Sequence, residues 1–172
     1  MNTLYLKKKF EKIKKKFLEK QYNEVIEECI LILRNNNVDV FYNLLCLAYN
    51  NKGETYKAID IMNEALKKNP RNADFSNNLG MFYSNIYDYK KAEENYKKGL
   101  EIEKNNLSLL NNLANLKKDL DQTDEAVNIY ERILSIKSDS LLVMYNLAGL
   151  YNSLGEFEKS KKLYFQMLEI KP

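Results

Sequence analysis

Histidine and tryptophan are absent from the sequence, and cysteine, glycine and proline are scarce, with two, five and two residues among 172. Without histidine there is no imidazole to act as a general base. Two thiols without histidine argue against a structural zinc site, and no glycine-rich loop is present to cradle a phosphate. We therefore predict that the protein is not an enzyme and that it holds no cofactor and no metal ion.

Long apolar runs and a dominant charge are missing as well. No stretch is long enough to span a bilayer, and residues 1–10 lack the apolar segment of a signal peptide. The net charge of +3 is too small for electrostatics alone to indicate a nucleic acid. We expect a cytoplasmic protein that binds a protein or peptide, and the sequence disfavours nucleic acid and membrane as partners.

The few groups that could carry chemistry have ordinary structural explanations. Adjacent carboxylates such as Glu27 with Glu28 are expected on solvated helix faces rather than as acid–base pairs. Cys29 and Cys46 fall on predicted inward faces, so we expect two buried, inert thiols.

Residues of matching size recur every 34 positions from residue 45 onwards. Such a period indicates stacked helix pairs, each with a helix A and a helix B, because one pair cannot bury its apolar face alone. Along one repeat, columns of large residues alternate with columns of small ones. The columns include Leu45, Leu79, Leu113 and Leu147; Cys46, Gly80, Ala114 and Ala148; Ala58, Ala92, Ala126 and Ser160; and Met62, Tyr96, Tyr130 and Tyr164.

This pattern resembles the tetratricopeptide repeat (TPR) family, whose motif is matched by Tyr42, Leu45, Tyr49, Ala58 and Pro70, although no repeat carries the family's tryptophan. The resemblance implies an all-α fold, a right-handed α-α superhelix (TPR solenoid) of about five helix pairs. We expect one domain over residues 1–172. Its repeats would span residues 3–37, which are divergent and shorter, then 39–72, 73–106, 107–140 and 141–172.

Caps and turns recur with the same step. Asn72, Asn106 and Ser140 precede A helices and are expected to bond first-turn amides with their side chains. Between helices A and B the chain needs a residue with positive φ. The residues expected there are Gly53, Tyr87, Asp121 and Gly155.

Asparagines form in-register columns on the A helices. In TPR arrays these helices line a concave groove, and the Asn runs are similar to those of the TPR domains of O-linked GlcNAc transferase and kinesin light chain. The resemblance implies that such amides bind the backbone of an extended peptide, since an amide both donates and accepts. The alternative is an excess of Asn from A/T-rich codons on a solvated face. The predicted peptide-binding residues are Asn43, Asn77, Asn78, Asn111, Asn112, Asn115 and Asn146.

Two other functions stay open on the sequence. The chain can be the non-catalytic targeting or regulatory part of a larger enzyme or chaperone complex. It can also be a basic surface-binding module, because seven lysines surround the apolar stripe of the first helix; the competing interpretation is a capping helix. Those lysines are Lys7, Lys8, Lys9, Lys12, Lys14, Lys15 and Lys16.

The last B helix carries an unusual aromatic residue. Phe165 stands in a column that reads Asn63, Lys97 and Glu131 in the earlier repeats, with Met167 and Ile170 nearby. We expect this end to meet another surface, which is a second copy in a homodimer, a partner, or further sequence. A single exposed phenylalanine would need no explanation.

Overall fold

The structure, a computed structural model, describes residues 3–170. Over this range the chain forms ten α-helices and no strand, which confirms the all-α prediction. One compact unit ends at Asn95, and a second begins at Tyr96. The helices are α1 (Thr3–Leu18), α2 (Tyr22–Leu33), α3 (Asp39–Asn51), α4 (Thr55–Lys68), α5 (Ala73–Asn85), α6 (Tyr89–Ile102), α7 (Leu107–Asp119), α8 (Thr123–Ile136), α9 (Leu141–Ser153) and α10 (Phe157–Ile170).

Each predicted repeat contains one A helix, with an odd number, and one B helix, with an even number. In the first unit α3 packs on α2 and α4, and α4 packs on α5. In the second unit α7 packs on α8, α8 on α9, and α9 on α10. The expectation of one domain over residues 1–172 stays a prediction.

Small side chains let the two helices of a pair approach each other. Cys46 on α3 and Ala58 on α4 are fully buried in one cluster, and Ala114 on α7 and Ala126 on α8 are fully buried in another. Larger apolar side chains fill the spaces around them, and full burial of each is worth about 1.5–3 kcal/mol. Because each cluster contains residues of two successive pairs, the core is shared among helices rather than held within one pair.

The five turns from helix A to helix B have the same backbone form. A residue with φ between 55° and 81° follows each A helix, as predicted for four of them; Lys20 in the first repeat was not predicted. The next amide then donates to the carbonyl five residues earlier, at 2.8–3.0 Å, which satisfies a carbonyl at the helix end. The left-handed residues are Lys20, Gly53, Tyr87, Asp121 and Gly155.

Two of the three predicted side-chain caps are present. The Asn72 Oδ1 accepts the Phe75 N–H at 3.0 Å, and the Asn106 Oδ1 accepts the Ser108 and Leu109 N–H groups. Ser140 occupies the same position before α9, but its side chain forms no cap hydrogen bond. The prediction of a side-chain cap is therefore wrong for Ser140.

Three of the turns carry a carboxylate, a lysine and a tyrosine in contact. In the second repeat the Lys57 Nζ lies 2.6 Å from a Glu54 carboxylate oxygen and 5.7 Å from the centroid of the Tyr49 ring. The bond to Glu54 raises the pKa of Lys57, and the bond to Lys57 lowers the pKa of Glu54. The equivalent groups are Asp88, Lys91 and Tyr83 in the third repeat and Glu156, Lys159 and Tyr151 in the fifth.

The other two turns exchange the cation and its partner. In the fourth repeat Lys117 replaces the tyrosine and Glu125 replaces the lysine, and the two side chains pair at 2.9 Å. The Lys117 Nζ also donates to Gln122, which replaces the carboxylate, at 2.8 Å. In the first repeat Lys16 and Glu24 occupy the same positions, after its shorter step of 33 residues, and pair at 2.6 Å. The five turns thus use two alternative arrangements of a cation and its partner to balance their charge.

One predicted surface carboxylate is instead part of this network. Glu28 is half-buried and accepts from Lys16 at 2.7 Å and from Lys9 at 3.4 Å. The Lys16 bond lowers the pKa of Glu28, while bonds to Glu24 and Glu28 raise the pKa of Lys16. The expectation of a solvated face holds for the exposed Glu27 but is wrong for Glu28.

Exchange of the polar arrangement in the fourth repeat gives a first test. Glu125→Lys alone places a second ammonium beside the buried Lys117, and we expect a loss of about 1–2 kcal/mol in the free energy of unfolding by urea. Adding Lys117→Tyr and Gln122→Glu reproduces the other arrangement and should recover most of that loss. Asp124→Lys, which changes the net charge equally at the exposed neighbouring residue, is the control. Strict additivity of the three changes would contradict the account.

Two glycines six residues apart should respond oppositely to alanine. Gly155 has φ +74°, so Gly155→Ala should lower the unfolding free energy by about 1–2 kcal/mol because a Cβ is strained there. Gly149 lies within α9, and no atom would come within 4 Å of an added Cβ. Gly149→Ala should therefore raise stability by about 0.5–1 kcal/mol. Thermal unfolding measures both, and shifts in the same direction would be inconsistent with these backbone assignments.

Candidate functional site

All seven asparagines predicted to bind a peptide lie on A helices and are half-buried. Those in the first unit and those in the second unit form two separate sets. The first set is Asn43 on α3 with Asn77 and Asn78 on α5, and the second set is Asn111, Asn112 and Asn115 on α7 with Asn146 on α9.

In the first unit, amides of neighbouring A helices bond to each other. The Asn78 Nδ2 donates to the Asn43 Oδ1 at 2.8 Å. Two turns further along the same helices, the Asn85 Nδ2 donates to the Asn50 Oδ1 at 3.1 Å, and the same oxygen accepts the Thr55 hydroxyl at 3.0 Å. These bonds orient the side chains, and each one uses only part of what an amide can donate or accept.

In the second unit, a tyrosine hydroxyl joins two of the predicted amides. The Tyr130 hydroxyl, from α8, donates to the Asn115 Oδ1 at 2.6 Å. Burial, together with the Asp119 carboxylate, raises the pKa of Tyr130 to about 12, whereas the neighbouring Asn146 side chain lowers it. Tyr130 therefore stays neutral at physiological pH, and its hydroxyl orients Asn115 and lies beside Asn146. Sequence columns show Tyr130 only as a core residue, so this linking role was missed.

Asn111 has a different environment from its neighbours. Its Oδ1 is buried and accepts no hydrogen bond within the described part of the chain. A desolvated acceptor without a donor costs about 1–3 kcal/mol. This asparagine is therefore held in place by the packing of α7 and not by a bond to that oxygen.

Apolar side chains continue the same face on α9. Leu142 and Tyr145 are 64% and 59% exposed, and they stand one repeat after Ser108 and Asn111. Gly149 stands one repeat after Asn115 and leaves open space where a side chain would lie. The A-helix face of the second unit thus combines oriented amides with exposed apolar surface.

The two thiols lie in the buried core of the part of the chain that the structure describes. Cys29 and Cys46 are free and buried, as predicted, and burial raises the pKa of Cys29 to about 12 and raises that of Cys46 as well. No three His, Cys, Asp or Glu side chains within residues 3–170 are placed to hold a metal ion. None of the described helices has the length and apolar character needed to cross a membrane.

The lysine-rich helix α1 is partly neutralised by its own surroundings. Four of the seven lysines found in the sequence have partners. Lys9 pairs with Glu28, Lys14 lies 6.0 Å from the Phe10 ring centroid, Lys15 pairs with Glu19 at 3.8 Å, and Lys16 pairs with Glu24 and Glu28.

The predicted surface of the last B helix is largely exposed. Phe165 is 57% exposed and Ile170 45% exposed, whereas Met167 is half-buried. Phe165 lies next to Tyr164 in a wider apolar area that also includes Phe157 and Leu168. The comparison of columns had identified only Phe165 in this area.

Comparisons with known proteins agree with this architecture. The tetratricopeptide repeat family matches residues 61–94, 107–140 and 142–172, together more than half of the chain. No match is found among curated protein sequences.

Solved structures similar to this chain include two MamA structures and one of pilF. A MamA crystal structure is 17% identical, with a TM-score of 0.78, and the match covers 91% of this chain and 92% of that chain. MamA from Desulfovibrio magneticus RS-1 is 12% identical, with a TM-score of 0.77 and coverage of 96% and 94%. Pseudomonas aeruginosa pilF is 14% identical, with a TM-score of 0.82 and coverage of 96% and 76%.

At these identities the structural likeness shows the fold alone, and that fold is of the α-α superhelix class that the sequence predicts. The matches over 107–140 and 142–172 coincide with the pairs α7–α8 and α9–α10, and the match over 61–94 runs from within α4, through α5, to within α6. The chain therefore belongs to the tetratricopeptide repeat family, and its repeats are a scaffold for protein–protein interaction.

Proposed function

We propose that this scaffold binds an extended peptide segment through the asparagine amides of its A helices. The observation that carries the proposal is the Tyr130 hydroxyl, which donates to the Asn115 Oδ1 and has the Asn146 side chain beside it. It places two amides next to each other before a ligand arrives. The location that we propose is the cytoplasm, and the expectation of a single domain over residues 1–172 belongs to the same proposal.

The two amides present complementary groups. Asn115 uses its Oδ1 to accept the Tyr130 hydroxyl, which leaves its Nδ2 to donate to a ligand. The Asn146 side chain lowers the pKa of the same hydroxyl, as an N–H turned towards it does. With its Nδ2 on that side, its Oδ1 is left to accept from a ligand. A peptide backbone offers C=O and N–H groups in alternation along an extended strand. One donor and one acceptor held near each other suit such a backbone.

Fixed orientation also reduces the entropy that binding must overcome. Immobilising a flexible polar side chain on binding costs roughly 0.5–1.5 kcal/mol of free energy, because its conformational entropy is lost. The bond from Asn78 to Asn43 restricts the first unit in the same way. Each amide contact with a peptide is then worth about 0.5–1.5 kcal/mol net.

Exposed apolar residues on the same face favour a particular kind of peptide. Leu142 and Tyr145 lie in the turn before Asn146 on α9, and the open space at Gly149 lies in the turn after it. An apolar ligand side chain can cover Leu142 and Tyr145 while the backbone meets the amides. Recognition would then be general for the backbone and selective for an apolar residue.

Peptides selected from a random display library on the full chain would test this proposal. Changing Asn115 and Asn146 together to Ala should weaken binding about 5- to 150-fold, from two contacts of that size. Tyr130→Phe should also weaken binding, because the amides lose their common partner. Methylation of single backbone nitrogens in the peptide should weaken binding more than alanine substitution of most of its side chains. Fluorescence anisotropy measures each affinity.

The matched control is Asn128→Ala, an exposed asparagine on the B helix α8. It removes the same group at a position away from the A helices and should leave the affinity unchanged. If the Asn115 and Asn146 variant binds selected peptides as tightly as the Asn128 variant does, the amides do not form the binding surface.

A further inference from the structure

The outer face of α10 differs in exposure from the same face of every earlier B helix. Tyr164 is 41% exposed, whereas its equivalents are at most 3% exposed. Leu168 and Phe157 are 60% and 63% exposed, whereas their equivalents are buried or half-buried. The equivalents of Tyr164 are Cys29, Met62, Tyr96 and Tyr130; those of Leu168 are Leu33, Leu66, Leu100 and Leu134; and those of Phe157 are Tyr22, Thr55, Tyr89 and Thr123.

In the earlier repeats an A helix covers this face. Tyr130 of α8 packs in one cluster with Val143, Leu147 and Leu150 of α9. In the first unit Met62 of α4 packs with Phe75, Leu79 and Phe82 of α5. The covering helix thus presents apolar residues at positions i, i+4 and i+7, which lie on one face of a helix.

The same face of α10 forms a depression of about 410 Å³. Its lining is mostly apolar, and Ser160 at its base is turned inward, where its hydroxyl donates to the Ala148 carbonyl at 2.9 Å. The lining residues are Asn152, Phe157, Ser160, Lys161, Tyr164, Phe165 and Leu168.

We propose that this face of α10, the α10 surface (Phe157, Tyr164, Phe165 and Leu168), binds an amphipathic helix of a partner protein. The partner helix would carry aliphatic residues at i, i+4 and i+7 and would lie on α10 as α9 lies on α8. This site is separate from the amide face proposed for an extended peptide.

A second copy of the chain fits the α10 surface poorly. In α1 the positions equivalent to the covering stripe are Lys8, Lys12 and Lys15, all exposed, and packing them on Tyr164 and Leu168 would desolvate ammonium groups. A two-fold pair of α10 helices centred on Tyr164 and Phe165 would place Lys161 of each copy against Leu168 of the other. The stripes of α3, α5, α7 and α9 are already buried.

The probe is a fluorescent synthetic peptide with the sequence of residues 106–120, which contains the covering stripe Leu109, Leu113 and Leu116. We expect saturable binding to the full chain, with a gain of peptide helicity by circular dichroism. Leu168→Glu should weaken this binding at least about tenfold, whereas Tyr56→Glu, at a 70% exposed aromatic residue on α4, should not change it. A control peptide with the three leucines changed to Gln should not bind.

Three results would overturn the proposal. The first is that the peptide fails to bind. The second is that the peptide binds the Leu168→Glu variant as tightly as the unchanged chain, which would show that it binds at another surface. The third is a wild-type chain that dimerises in sedimentation equilibrium and becomes monomeric with Leu168→Glu, which would make a second copy the occupant. Circular dichroism of each variant checks that its helix content is retained.

Discussion

The apolar face of a B helix in this protein is buried where the A helix of the next repeat lies over it. Met62 is fully buried because α5 lies over α4, and Tyr130 is fully buried because α9 lies over α8. Tyr164 has the same place in its own helix and remains exposed. Burial of the core therefore depends on contacts between repeats more than on contacts within one helix pair.

The same constraint explains why polar groups on the A helices are so ordered. An A helix packs between two B helices, so the asparagines at the edges of its buried face lie within reach of neighbouring side chains. Asn115 and Asn146 meet the Tyr130 hydroxyl in this way, and Asn43 meets Asn78. The scaffold consequently holds amides in defined orientations at its surface, which is the property that recognition of a peptide backbone requires.

Much of the fold could be predicted from the sequence because the period of 34 residues is the length of one helix pair with its turns. It fixed the helix pairs and placed Tyr87 and Asp121 in left-handed turns, where a residue other than glycine would otherwise be surprising. Periodicity describes backbone and burial, however, and says little about which polar side chains meet. The ion pairs of Glu28 and the missing side-chain cap at Ser140 were for that reason predicted wrongly.

The candidate sites were predictable only in part for the same reason. In-register columns identified the asparagines, but Tyr130 belongs to a column of large core residues, which gives no sign that its hydroxyl contacts them. On α10, Phe165 was identified because it breaks a polar column, whereas Tyr164 and Leu168 match the columns of their equivalents and were not identified. Their exposure depends on whether another helix lies over them, and a column of similar residues does not contain that information.

Amide hydrogen exchange followed by mass spectrometry tests the dependence on a covering A helix most directly. Residues 128–131 of α8 and residues 162–165 of α10 are equivalent middle turns of B helices, away from the frayed ends. We expect exchange at least about tenfold faster in 162–165, because local opening of α10 breaks fewer apolar contacts. Equal protection of the two segments would contradict it, since the following A helix would then not be what stabilises a B helix.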